Sequence, residues 1–401
     1  MQFKLLNFHK FVGNFATSLV GTFIPLMVYK ATGSIRLAVL FLVGQGLCRL
    51  ISNHLFKKFV EKYPQVSLII RLVPLLIYNV SLIFLEDFMV PGLILVCISY
   101  GISMSLKNNA TGVLLNYSSK KKVSKNLTLT RMVEALSAIV ACVAGGLFID
   151  WNQTALIIFS TSLYVASVLP LLIWFIVNRN EAGVNKDFTS NAVIEYDKDP
   201  ILKEKRRQIK RQFILEYFIF YTVFCVIDPF SNLYNLHLFV SVPTFAQAGY
   251  ITATFQAANF VGVMVVGFVG KKYDFNVLNL VNAIICAIPL GIIPFIQSHL
   301  VIYILFFVFG FTYSICSYFM MNSLMTKCKI ISANNEGLLA RQDGIVVGQL
   351  VAPFVVLCTG SIVPVFFVMI ASLMGYAIYT TIKEERMRKK LVNYLENNEI
   401  E

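Results

Sequence analysis

The sequence is poor in charge. Only 14% of its 401 residues are Asp, Glu, Lys or Arg, against about 25% in an ordinary soluble domain. It also lacks paired cysteines. The eight it has (Cys48, Cys97, Cys142, Cys225, Cys286, Cys316, Cys328 and Cys358) are spread nearly one per apolar stretch and form no CxxC pair. They read as small core residues rather than disulfide partners or metal ligands. The four histidines, His9, His54, His237 and His299, show no ligand spacing and fall near segment ends, which suggests surface or interface positions. No HExxH, GxSxG or acidic cluster suggests an enzyme. Gly270-Lys271-Lys272 lacks the upstream glycine and the Ser/Thr of a phosphate loop, which argues against ATP-driven work by this chain. No cofactor and no metal are expected. No small-residue cleavage site follows the first apolar segment, so no cleavable leader is expected. The period-2 alternation that a membrane barrel needs is missing too.

Apolar residues are what the chain has in abundance. They make up 57% of it, and the mean hydropathy is +0.72, values of a polytopic membrane protein. Apolar segments of about 20 residues run from 8–29, 36–56, 66–85, 91–115, 127–149 and 155–178 in the first half. In the second half they run from 212–240, 246–270, 276–297, 299–325, 337–359 and 362–382. Backbone groups in hydrocarbon must be satisfied within the segment, so these spans are helices. The expected fold is an all-α integral membrane protein of twelve transmembrane helices. They divide into two pseudo-symmetric six-helix bundles, 1–178 and 212–382, joined by a basic linker, 179–211, and followed by a charged tail, 383–401.

Lys and Arg concentrate in alternate loops, and only Lys30 and Arg36 face the other side. The positive-inside rule then puts both termini and the linker in the cytoplasm. The net charge of +13 sits in short loops rather than on one face, which fits anionic lipid better than nucleic acid. A plain solvated charge run is an equal reading of the linker. Short loops, no organelle signal and a preference for Lys over Arg suggest a bacterial plasma membrane.

The halves resemble each other. Tyr100–Leu106 in the fourth segment matches Phe309–Ile315 in the tenth. The stretch around Arg131 opening the fifth matches that around Arg341 opening the eleventh. The basic ends of the second and eighth also correspond. Together with the central linker, this resembles the major facilitator superfamily of secondary transporters. The loop signature of that superfamily is degenerate at 54–64, which keeps Lys57 and Lys58 but no Asp-Arg. The copy with Gly267, Gly270, Lys271, Lys272 and Asp274 is closer. Thr32-Gly33-Ser34, preceded by Pro25-Leu26 and Tyr29, resembles the macrolide and siderophore exporter branch. The fifth-segment Gly-Pro-x-x-Gly-Gly element of drug exporters is reduced here to Ala141–Gly146, without its proline. The arginine in the fourth helix of proton-coupled drug exporters is also missing.

The resemblance implies that the first, fourth, seventh and tenth helices line a central cavity. Polar residues inside membrane helices are costly and therefore informative. Asn14, Thr17 and Ser18 in the first segment, Asn108 in the fourth, and Tyr221 and Asn232 in the seventh are the candidate cavity residues. The alternative is that such residues simply pack helix on helix. Asp228, deep in the seventh segment and followed by Pro229, is the sharpest candidate for proton coupling. Burial disfavours the charged form, so such a group can exchange a proton near neutral pH. A carboxylate locked in place by a tyrosine or asparagine is the competing reading. Glu134 is the second candidate. Arg131 stands three residues before it, close enough to pair within one helix. Arg49, Arg131, Arg341, Asp343 and Asp274 are expected to form gates, with Asp343 turned away from Arg341. Lys107 could bind an anionic group or snorkel to the interface.

These readings converge on a secondary transporter working by alternating access, exporting a small amphipathic or hydrophobic compound by proton antiport. The expected partners are that substrate, protons and membrane lipids, with no nucleic acid, and the resemblance implies a monomer. A carrier of a lipid-linked or nutrient substrate, or a transporter-like receptor that no longer transports, remain alternatives.

Overall fold

A chain this apolar can satisfy its backbone in lipid only as helices, and helices account for nearly all of it. The computed structural model describes residues 2–116, 123–177, 200–269, 275–330 and 334–399. The six passes of the first half are α1 (Gln2–Gly21 and Ile24–Thr32), α2 (Ile35–Leu55), α3 (Pro64–Ile70 and Leu72–Ile83), α4 (Met89–Asn116), α5 (Val123–Trp151) and α6 (Gln153–Val177). Those of the second are α7 (Pro200–Phe224 and Phe230–Ser241), α8 (Phe245–Val269), α9 (Phe275–Ile292), α10 (His299–Ile330), α11 (Asn334–Thr359) and α12 (Val363–Glu399). Eleven of these are long and apolar enough to cross a membrane, and the remaining one, α9, is apolar but shorter, over Leu280–Phe295. Large apolar side chains such as Ile51, Ile173, Phe354 and Phe367 stay more than half exposed. Spread around the bundle, they suit a lipid surround and would be a liability in water.

Six crossings return the chain to the end where it began. That end is called the linker end below, and its opposite the far end. At the far end Thr32-Gly33-Ser34 turns α1 into α2. Gly33 takes a left-handed φ of 65° and its N–H donates to the Tyr29 carbonyl, a glycine C-cap. The Ser34 hydroxyl then accepts from the Leu37 N–H and starts α2. Thr359-Gly360-Ser361 makes the same kind of turn between α11 and α12, with Gly360 at φ 70°. The two turns are neighbours, since a Cβ on Gly360 would lie 3.2 Å from the Arg36 guanidinium.

Two helix pairs make the most extensive contacts between the halves, α5 on α8 and α2 on α11. Glycines set the first contact. A Cβ on Gly249 of α8 would stand 2.5 Å from the Cys142 carbonyl of α5, and one on Gly146 2.8 Å from the Phe245 carbonyl. Backbones this close admit no side chain, the small-residue packing typical of membrane bundles. Above this contact the far end is closed by aromatic side chains. Phe23 meets Phe245 and Tyr29 meets Phe239 edge-on, and Phe23, Phe239 and Phe245 are buried.

Several passes are broken, each near a proline. Pro25 follows the turn in α1, Pro74 the break at Arg71 in α3, and Pro229 the break in α7. In α7 the α-helix stops at Phe224, a tight 3-10 turn covers Cys225–Ile227, and the helix resumes at Phe230. Proline lacks the N–H and crowds the carbonyl four residues back, so this break was foreseeable. Past its apolar stretch α12 continues as helix through the charged tail to Glu399.

Candidate functional site

The α7 break places Asp228 near the middle of the span Lys210–Ser241. Both of its oxygens are engaged. Oδ1 accepts from the Tyr313 hydroxyl of α10 at 2.6 Å, and Oδ2 accepts from the Gln349 amide of α11 at 2.9 Å. Gln349 presents its carbonyl to the Arg49 guanidinium of α2 at 3.2 Å, and Arg49 donates again to Gln342 at 2.8 Å. A single chain of hydrogen bonds therefore runs from a carboxylate in one half to an arginine in the other.

Two cavities flank this chain, and Arg49, Asp228 and Gln349 line both. The smaller, about 190 Å³, is also bordered by Gln45, Tyr100 and Asn232. The larger, about 260 Å³, extends past Lys107, Asn108, Tyr221 and Arg341 to Arg131 and Lys10. Arg131, toward the linker end of α5, keeps 38% of its side chain exposed.

In the first half Glu134 is the hub. Lys10 of α1 contacts its Oε1 at 2.9 Å, while Arg131 stands 3.9 Å from Oε2. The expected pairing within α5 is thus the longer of two, and the stronger partner comes from α1. Asn14 donates to the Glu134 carbonyl and to the Ser137 hydroxyl, and accepts from the Lys107 ammonium at 3.0 Å. So Lys107 does not snorkel outward. Its amine is held inside, against an amide.

Other expected site residues fall elsewhere. Thr17 turns its hydroxyl back to the Gly13 and Asn14 carbonyls of its own helix, and neither Thr17 nor Ser18 is among the residues bordering the two cavities. Asp343 accepts from Asn53 and meets His54 at 3.2 Å, while Arg341 lies over the Tyr221 ring at 5.2 Å. Asn53 also accepts from Asn109 of α4, so α2, α4 and α11 are laced together there. Asp274 lies outside the described residues. His9 corrects the expectation of a surface or interface histidine: it is 2% exposed, with Nδ1 3.0 Å from the Ser167 carbonyl. Lys10, Gln342 and Gln349 were not expected at the site. The buried Arg71, which donates to Ser103 and lies over the Tyr164 ring, borders neither cavity. Among the described residues no group of three His, Cys, Asp or Glu side chains is placed to hold a metal.

A sequence model of the major facilitator superfamily matches residues 6–333. The chain belongs to this superfamily. No curated protein sequence matches it significantly. Among solved structures, a variant of the E. coli fucose:proton symporter FucP is 16% identical with a TM-score of 0.60, over 94% of this chain and 98% of that one. A bacterial homologue of the iron transporter ferroportin, in an outward-facing state, is 11% identical at 0.66, over 96% and 99%. The nucleoside transporter NupG is 15% identical at 0.62, over 97% and 100%. At these identities the likeness is one of fold. It is a member of a transporter superfamily and not an enzyme.

Proposed function

We propose that the protein is a proton-coupled secondary transporter of a small amphipathic compound, working by alternating access, with Asp228 as the group that takes up and releases the proton. The observation that carries this reading is the position of Asp228: mid-span, at a helix break, in the shared wall of both cavities. An intramembrane carboxylate so placed is a functional group by default. Ionised, it accepts from Tyr313 and Gln349 and, through Gln349, fixes Arg49 of the opposite half. Protonation removes one acceptor and frees Gln349 to turn, which loosens the tie between the halves. The proton state of one residue is then coupled to how the halves meet, the requirement of a rocking transporter.

The aromatic contacts at the far end and the cavity extending toward Arg131 support a state that loads from the linker end. With that end cytoplasmic, as the Lys and Arg distribution supports, the load comes from inside the cell. Export is the direction favoured by the Thr32-Gly33-Ser34 resemblance.

The test is accumulation of a panel of fluorescent amphipathic compounds in cells carrying the wild type, Asp228→Asn or an empty vector, with and without a protonophore. Export lowers accumulation relative to the vector and uptake raises it. In either case the difference should vanish with Asp228→Asn and with the protonophore. A responding compound that Asp228→Asn moves as well as the wild type would remove Asp228 from the coupling path.

A further inference from the structure

The charge balance of the larger cavity goes beyond proton coupling. Among its described lining residues are the cations Lys10, Arg49, Lys107, Arg131 and Arg341, against the carboxylates of Glu134 and Asp228. Glu134 is committed to Lys10 and Arg131. The three remaining cations have no carboxylate within ion-pair distance among the described residues. Lys107 has the Asn14 amide, Arg49 has two glutamine carbonyls, and Arg341 has the face of Tyr221. Their hydrogen-bonding capacity is also unfilled: Nε of Arg49 and Nε of Arg341 are buried without partners, as is the Thr111 hydroxyl on the same wall.

Uncompensated charge in a low-dielectric interior is expensive. A purely structural role would leave these cations paired or turned out to solvent. Here they come from α2, α4 and α11, so both halves contribute, and they converge on one cavity with donors to spare. Phe224, Tyr313 and Met320 supply an apolar wall beside them. The volume, about 260 Å³, is slightly below the range of pockets for drug-sized ligands, about 300–1,000 Å³.

We propose that the substrate is a small organic oxyanion, a carboxylate or phosphate carried on an apolar or aromatic body, whose charged group is bound by Lys107 and Arg341 from the two halves. This rests on the transporter reading and names its substrate class. Guanidinium and ammonium groups form their strongest hydrogen bonds with such oxyanions. Binding from both halves also lets one ligand draw them together. A proton on Asp228 removes a negative charge that repels the anion, and the anion lowers the positive charge that opposes the proton, so they assist one another. Coupling of this sign carries proton and substrate together, which an inward proton gradient drives as uptake, so anion binding argues against the export direction that the Thr32-Gly33-Ser34 resemblance favours.

The experiment is thermal unfolding of the purified full chain in detergent micelles with four probes that share a ring and differ in charge: phenyl phosphate, benzoate, benzyl alcohol and benzylamine. Ligand that binds only the folded state raises the melting temperature. The expected order is phenyl phosphate above benzoate, with no shift from the neutral or cationic probe. Lys107→Gln and Arg341→Gln should each weaken phenyl phosphate binding about tenfold or more. Lys107→Gln should leave the unliganded melting temperature unchanged or higher, because it removes an unpaired buried charge; a structural lysine would give a fall. Competition by phosphatidylglycerol but not phosphatidylcholine would assign the oxyanion to a lipid headgroup instead of a soluble compound. Equal shifts from benzylamine and benzoate, no shift from either anion, or wild-type phenyl phosphate binding in both variants would overturn the proposal. The assay needs neither transport nor a proton gradient. Failure of Asp228 as proton carrier would therefore leave its result unchanged, and failure of anion binding would leave proton coupling standing.

Discussion

Lys10 and Glu134 show how an ionisable pair is held in this membrane bundle. The Lys10 side chain is 3% exposed and its only carboxylate contact among the described residues is Glu134 at 2.9 Å. Removing one partner leaves the other charge buried and unpaired, a loss of about 3–5 kcal/mol in comparable buried pairs. Glu134→Gln should therefore lower the unfolding temperature sharply. Lys10→Met with Glu134→Gln together should recover much of it, and a double-mutant cycle of melting temperatures measures the coupling. Additive losses would mean that the pair is not the unit described here. Asp228 was legible in the sequence because a lone carboxylate followed by proline stands out deep in an apolar run. Lys10 was not, since a lysine near the start of a first span reads as a flank. Gln342 and Gln349 escaped because they lie on α11, outside the four helices expected to line the cavity, and uncharged amides leave a weak mark in hydropathy.

Glycine contacts carry comparable weight for whole elements. At Gly249 a Cβ meets a backbone carbonyl of α5, which cannot rotate away. Gly249→Ala should wedge α8 from α5 and cost about 1–3 kcal/mol, the usual range for overpacking, with a matching loss of transport. Gly375 of α12 is the internal control, since nothing lies within 4 Å of an added Cβ. Gly375→Ala should be neutral or stabilising by up to about 1 kcal/mol through helix propensity. Melting curves of the two purified variants decide between packing and propensity; equal behaviour would contradict the close-approach account. Segment positions were readable to within a few residues because hydropathy and helix length are both fixed by the bilayer. The continuation of α12 to Glu399 was not. Residues 383–399 carry no Gly or Pro to stop a helix, so the hydropathy boundary at the membrane surface is not a helix boundary.

At the scale of the molecule, two six-helix halves meet along α2–α11 and α5–α8, with Asp228, Gln349 and Arg49 tying one half to the other. The internal similarity around Arg131 and Arg341 foretold two equivalent halves; both arginines, expected as gates, border the larger cavity. The excess of cations there was not foretold. It arises because residues from α1, α2, α4, α5 and α11 converge, and no single segment of the sequence shows it. The central claim is that the proton on Asp228 and the substrate are linked in this cavity. The direct measurement is proton exchange by the purified protein in weakly buffered detergent solution at about pH 7 on adding saturating benzoate, which stays ionised there. The account predicts proton uptake by the wild type, lost in Asp228→Asn while benzoate still binds. Proton release, no change, or the same uptake in Asp228→Asn would contradict it.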